Sequence, residues 1–167
     1  MRLFTAVCAG FLVLATSAYA GFESWSVESE DDPFSGGNRT TVDYSSSMRS
    51  GILILCDTAK PGLIVRAVPG FAFTDTLSGY TPELEFAIDG QRVLGQSGVV
   101  GAVGDNVAAA ETTLSVANAE TFVKAFAAAQ KQIAIKDGIS DRPHLLKARG
   151  STKAGAALVK CMAGQKT

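Results

Sequence analysis

The run Gly51-Ile52-Leu53-Ile54-Leu55-Cys56 constrains this chain more than any other segment. Four branched aliphatic residues in a row leave no polar face, so the run predicts a strand near the centre of a sheet, covered on both sides. The two-residue period of a strand puts Ile52, Ile54 and Cys56 on one face. Lys60-Pro61-Gly62 supplies a turn, and residues 63–68 read as the returning strand of a hairpin.

Other segments read as antiparallel neighbours of that hairpin. Trp25 and Val27 alternate with small and charged residues, the period of a half-buried strand. Glu28-Ser29-Glu30-Asp31-Asp32-Pro33 is acidic and closes on proline, which predicts a solvated loop. A second strand is predicted over 39–45, with a serine turn over 45–47. In Glu83-Leu84-Glu85-Phe86-Ala87-Ile88 the apolar residues Leu84, Phe86 and Ile88 alternate inward, and Asp89-Gly90 makes a two-residue hairpin turn into 91–94. Residues 95–104 hold four glycines and predict a mobile loop or a weak edge strand, ahead of a further strand over 107–116.

Asn118 is read as the N-cap of a helix to about Gln130, with Phe122, Val123 and Phe126 at helical spacing. Residues 132–136 and 145–149 read as short strands, and Ser151 as the cap of a last helix. Its stripe Ala154, Ala157, Leu158 and Cys161 would face the core. The predicted fold class is mainly β: β-sandwich-like antiparallel sheets with one or two packed helices, one of them C-terminal. No βαβ rhythm, internal repeat or second domain is visible, so residues 21–167 read as one domain.

The first 20 residues are set apart from that domain. Arg2 precedes an apolar run from Leu3 to Ala15, and Ala18-Tyr19-Ala20 has the small-x-small form that signal peptidase reads. The run is shorter than the roughly 20 apolar residues a membrane-spanning helix needs, which predicts a cleaved signal peptide and a periplasmic or secreted protein, with no transmembrane segment in the mature chain. Cleavage after Ala20 takes 167 residues to 147, removes Cys8, and lowers 15 basic residues to 14 against 16 acidic, a charge of −2. Cys56 and Cys161 remain, and an oxidising compartment favours one intramolecular bridge between them over two thiols or an intermolecular bridge. Closing a loop of about a hundred residues is worth up to ~4.7 kcal/mol on the chain-entropy account.

With 47% hydrophobic residues and near-neutral charge, the chain is too apolar for disorder and has no general attraction to nucleic acid. His144 is the single histidine, which excludes a His-rich zinc site, and its place after Pro143 predicts a solvated loop residue. No serine sits in a G-x-S-x-G turn. The glycine-rich stretch from Gly95 to Gly101 lacks the Lys-Ser/Thr of a phosphate loop. Glu28, Glu30, Asp31 and Asp32 crowd four carboxylates together but lack the spacing of an EF-hand. No catalytic residue, cofactor or metal ligand is therefore assigned. Charge is uneven: residues 23–32 carry five acids and no base, whereas Lys136, Arg142, Lys147, Arg149, Lys153, Lys160 and Lys166 face only Asp137 and Asp141 after position 136. Such asymmetry suits steering of a partner, an ordinary solvated face, or mutual attraction of the two chain ends.

The order of these features resembles a family. Trp25 precedes Asp32-Pro33, an apolar strand ends in Cys56, a Phe86 strand ends in Asp89-Gly90, a Phe-bearing helix follows, and the stretch from Gly150 runs into Cys161. This layout is similar to the invasion-associated locus B family of Gram-negative bacteria and to the periplasmic type VI secretion-associated proteins that share it. The resemblance implies a β-sandwich-like domain with the two cysteines bridged, and it carries no catalytic residues. The expected function is non-enzymatic: an exported protein that binds another protein or an envelope component. Inhibition of a lysozyme-like hydrolase and an envelope hydrolase using a serine with His144 are the alternatives.

Overall fold

The structure is a computed structural model that describes residues 22–34 and 36–165. The predicted signal segment, its cleavage point and Lys166 lie outside the described residues. Among the described residues ten strands form two antiparallel sheets, and two helices pack with them, the second near the C-terminus. The strands are β1 (Ser26–Asp32), β2 (Gly37–Ser45), β3 (Gly51–Asp57), β4 (Leu63–Val68), β5 (Glu83–Ile88), β6 (Gln91–Ser97), β7 (Val99–Val103), β8 (Val107–Leu114), β9 (Gln132–Lys136) and β10 (His144–Lys147). The helices are α1 (Val116–Ala128) and α2 (Ser151–Ala163).

One sheet has six strands in the order β1-β2-β3-β4-β8-β7, and the other has four in the order β10-β9-β5-β6. Inward residues of both sheets and one stripe of each helix make a single core. Ile52, Ile54, Val65 and Leu63 meet Leu84, Phe86, Ile133 and Ile135 there, with Phe122, Phe126 and Leu158 from the helices. Aromatic rings join its layers: Phe86 lies 5.1 Å from Phe122, and Trp25 lies 4.8 Å from Phe126. The hairpins over 51–68 and 83–97 form as the alternation predicts, and β3 is central in its sheet.

Five expectations need correction. The acidic segment is strand, because β2 offers it a partner through Asp32↔Gly37, and its carboxylates stay exposed at the sheet edge apart from Asp32. Asp32 is buried against Arg39, 2.6 Å away, and its Oδ1 accepts the Phe34 N–H. Strand β3 is fully buried on one face only; Leu53 and Leu55 are half-buried on the other. Ser115, not Asn118, caps α1, since its side chain accepts the Asn118 N–H. Gly150, not Ser151, precedes α2: a positive φ of 91° and a carbonyl of Trp25 only 2.4 Å from where a Cβ would sit leave room for glycine alone. His144 is not in a solvated loop: its side chain is 9% exposed and meets Asp137. Of the two readings for 95–104, the edge strand is the one that forms, as the end of β6 and all of β7.

Candidate functional site

Cys56 on β3 and Cys161 on α2 face each other with Cα atoms 6.2 Å apart, and their sulfurs are bonded in the geometry of a disulfide. The bridge fastens the last helix to the central strand. Gln165 extends the clamp beyond the helix: its Nε2 donates to the Gly62 carbonyl at 2.7 Å, and its Oε1 accepts the Gly62 N–H at 3.0 Å. No pattern in the sequence marks Gln165, because its partners are backbone groups of a turn a hundred residues away.

His144 opens β10, and its side chain is only 9% exposed, not solvated. Its Nε2 lies 2.9 Å from Oδ2 of Asp137, whose residue is fully buried. The same carboxylate accepts the Ser140 hydroxyl and the N–H groups of Ile139 and Ser140. Burial works to raise the Asp137 pKa, but hydrogen bonds from His144, Ser140 and the two amides outweigh it and hold the group below its ordinary value. Serine, acid and histidine thus meet with the acid in the middle. A nucleophilic triad needs the imidazole between hydroxyl and acid. What the arrangement does is tie down the β9–β10 connection.

A pH dependence follows. A carboxyl whose folded pKa is depressed contributes stability above its unfolded value and loses it as pH falls through the folded value. Thermal melting of the unsubstituted protein should therefore fall steeply below about pH 4, and Asp137→Asn should flatten that slope while lowering Tm at pH 7. An unchanged acid slope in the variant would count against the role given to Asp137. Asp89 acts in the same window: it accepts the N–H groups of Gln130, Lys131 and Gln132, and these bonds lower its pKa.

The two sheets differ in the faces they turn to solvent. On the four-stranded sheet that face sets Ala134 and the exposed Leu145 beside an ion network. Glu85 meets Lys136 at 3.0 Å and Arg92 at 3.2 Å, and its carboxyl is held below the ordinary range first by Lys136 and then by Arg92. On the six-stranded sheet the register lines up three cross-strand rows. They are Ser26, Asp43, Leu53, Arg66, Glu111, Val99; then Glu28, Thr41, Leu55, Ile64, Thr113; and then Glu30, Arg39, Asp57. Arg66 and Glu111 neutralise each other at 2.6 Å, so Leu53, Leu55, Ile64, Val68 and Val99 form the aliphatic part of a face whose β1 and β2 side carries Glu28, Glu30, Arg39 and Asp43. Above these rows a trough of about 780 Å³ lies between the β2–β3 and β7–β8 turns, with Gly51, Val68, Val103 and the fully exposed Met48 on its walls.

The charge asymmetry resolves into separate arrangements. Lys147 pairs with Glu23 at 2.6 Å, joining the two chain ends, and that contact raises the lysine's pKa. Lys136 belongs to the Glu85 network, while Lys153 and Lys160 point outward from α2. Glu28 and Glu30 share one face of β1 and Asp31 takes the other, so strand pairing disperses the acids. Among the described residues no group of three or more His, Cys, Asp and Glu is placed to hold a metal ion, and no helix is long and apolar enough to cross a membrane. Comparison with protein-family models, with curated proteins and with solved structures found no match to this chain.

Proposed function

We propose that this is an exported, non-enzymatic binding protein whose contact surface is the solvent face of the six-stranded sheet. The carrying observation is the β3, β4 and β7 part of that face, where Leu53, Leu55, Ile64, Val68 and Val99 gather around a neutralised ion pair. An aliphatic sheet face beside a trough is a surface that gains free energy when a partner covers it. The signal-like leader, the bridged cysteines and the resemblance to the invasion-associated locus B layout support an envelope or secreted setting and a protein or envelope component as partner.

The test uses the mature protein as bait in envelope extract at physiological salt. Saturable capture of one component is expected, and the double variant Leu53→Lys, Ile64→Lys should reduce it at least tenfold without altering the far-ultraviolet circular dichroism. Capture that is undiminished in the double variant, or no saturable component at all, would overturn the proposal. Inhibition of a basic hydrolase such as lysozyme is the second reading, favoured by the exposed acids Glu28, Glu30 and Asp31 along β1. Unchanged lysis in the presence of excess protein removes it.

A further inference from the structure

Two open sheets have four edge strands, and three of them carry devices that discourage pairing. Strand β1 has Glu28, Glu30 and Asp31, so a second copy laid against it would set carboxylate near carboxylate. On β10 the Lys147 N–H donates to the Tyr44 hydroxyl, and the Lys147 carbonyl accepts from the Trp25 indole. On β6, Arg92 is exposed, the Ser97 carbonyl accepts the Thr112 hydroxyl, and the Gln96 side chain reaches Thr113 and Asn118. Strand β7, Val99-Val100-Gly101-Ala102-Val103, has no charge and no proline, and pairs with β8 alone among the described residues.

The hydrogen-bonding groups of β7 can be assigned to its two sides. Ala108 pairs with Ala102, yet its N–H donates to Phe71, on the side of β8 away from β7. The pair is therefore of the non-hydrogen-bonded kind, and the N–H and C=O of Ala102 point to the open edge. The same alternation turns those of Val100 outward and those of Gly101 toward β8.

We propose that β7 is a self-association edge, on which the β7 strand of a second copy of this chain pairs antiparallel about a two-fold axis through Gly101. In this register Val100 faces Ala102 of the second copy and Ala102 faces its Val100. All the outward N–H and C=O groups of both residues are then satisfied, making four hydrogen bonds in two closely spaced pairs. Gly101 meets Gly101 of the second copy as the non-hydrogen-bonded pair, where Cα atoms approach to about 4.5 Å and the absence of side chains suits the contact. A register shifted by two residues either way satisfies fewer of these groups. Val99 would lie beside Val103 of the second copy, so the aliphatic outer face continues across the axis. The uncharged strand is what selects a second copy, since neither partner must desolvate a charge. A strand of five residues makes a small interface, so association is weak and concentration-dependent.

Complementary charges at the axis test the register. Nothing lies within 4 Å of where a Cβ on Gly101 would sit, so the monomer accommodates a side chain there. Sedimentation velocity of the unsubstituted protein should show a monomer–dimer equilibrium at concentrations up to on the order of 1 mM. Gly101→Lys alone and Gly101→Glu alone should each weaken it at least about tenfold, and an equimolar mixture of the two should restore dimers, because opposite charges then face each other. Ala102→Pro deletes an N–H that β8 does not use, and should weaken association while leaving Tm within a few degrees. A protein that stays monomeric throughout, a dimer indifferent to these substitutions, or a mixture that restores nothing would overturn the proposal. None of these outcomes depends on whether the protein also binds a different partner.

Discussion

Replacing Cys56 and Cys161 together by serine is expected to cost about 4–5 kcal/mol, the loop-closure value for a bridge spanning 105 residues. That is a large share of the roughly 5–15 kcal/mol available to a domain of this kind. The effect should appear in urea unfolding as a lower midpoint, and the reduced, unsubstituted protein should fall close to the double variant. Far-ultraviolet circular dichroism should retain the strand signal in water. The bridge joins α2 to β3, while Leu158, Ala154 and the Gln165–Gly62 pair also hold that helix, so loosening of its last turn is the structural consequence. A loss below about 1 kcal/mol would mean that the bridge is absent or that the unbridged denatured chain is already compact.

Trp25→Ala should be the costliest single core truncation, about 3–5 kcal/mol, which for a chain of this length lowers Tm by roughly 10 °C or more. Three connections go with the indole. Its ring lies 5.2 Å from Tyr44 and 4.8 Å from Phe126, and its Nε1 donates to the Lys147 carbonyl. Those partners sit on β2, α1 and β10, so the side chain joins the six-stranded sheet to a helix and to the edge of the other sheet. Trp25→Phe keeps most of the buried area and loses the indole donor, and about 1–2 kcal/mol is expected for it. Equal losses for the two variants would show that the hydrogen bond, not the packing, is the main contribution.

Much of the framework is legible in the chain because local pattern and tertiary context agree there. The alternation in Glu83–Ile88, the Asp89-Gly90 turn and the apolar run ending at Cys56 each specify a strand with a defined inward face. The failures share a cause. Glu28, Glu30, Asp31 and Asp32 look like a solvated loop in isolation, and become strand because Thr40 and Thr41 of β2 lie alongside with unmet backbone groups. Leu53 and Leu55 suggest a second buried face because apolar character alone does not say whether another layer exists to cover it. His144 reads as a loop residue because Asp137, its partner, is separated from it by a turn whose hydrogen bonds only the fold creates.

The outer-face surface was present in the sequence but divided among strands. Leu53, Ile64, Val68 and Val99 each look ordinary alone and form a surface only once the register of β3, β4, β8 and β7 is known. Gln165, Asp89 and Tyr44 illustrate a different limit. Each donates to or accepts from distant backbone, and side chain–backbone bonds across long separations leave no periodic trace.

Photo-crosslinking compares the two outer faces of the molecule in a single measurement. A crosslinking residue at Val68, in the aliphatic part of the six-stranded sheet, and another at Glu85, on the outer face of the four-stranded sheet, are each presented to envelope extract at physiological salt. If the six-stranded sheet is the contact surface, the Val68 probe yields a discrete adduct that excess unlabelled protein suppresses, and the Glu85 probe yields none. Adducts from Glu85 alone, or equal adducts from both positions, would contradict the account.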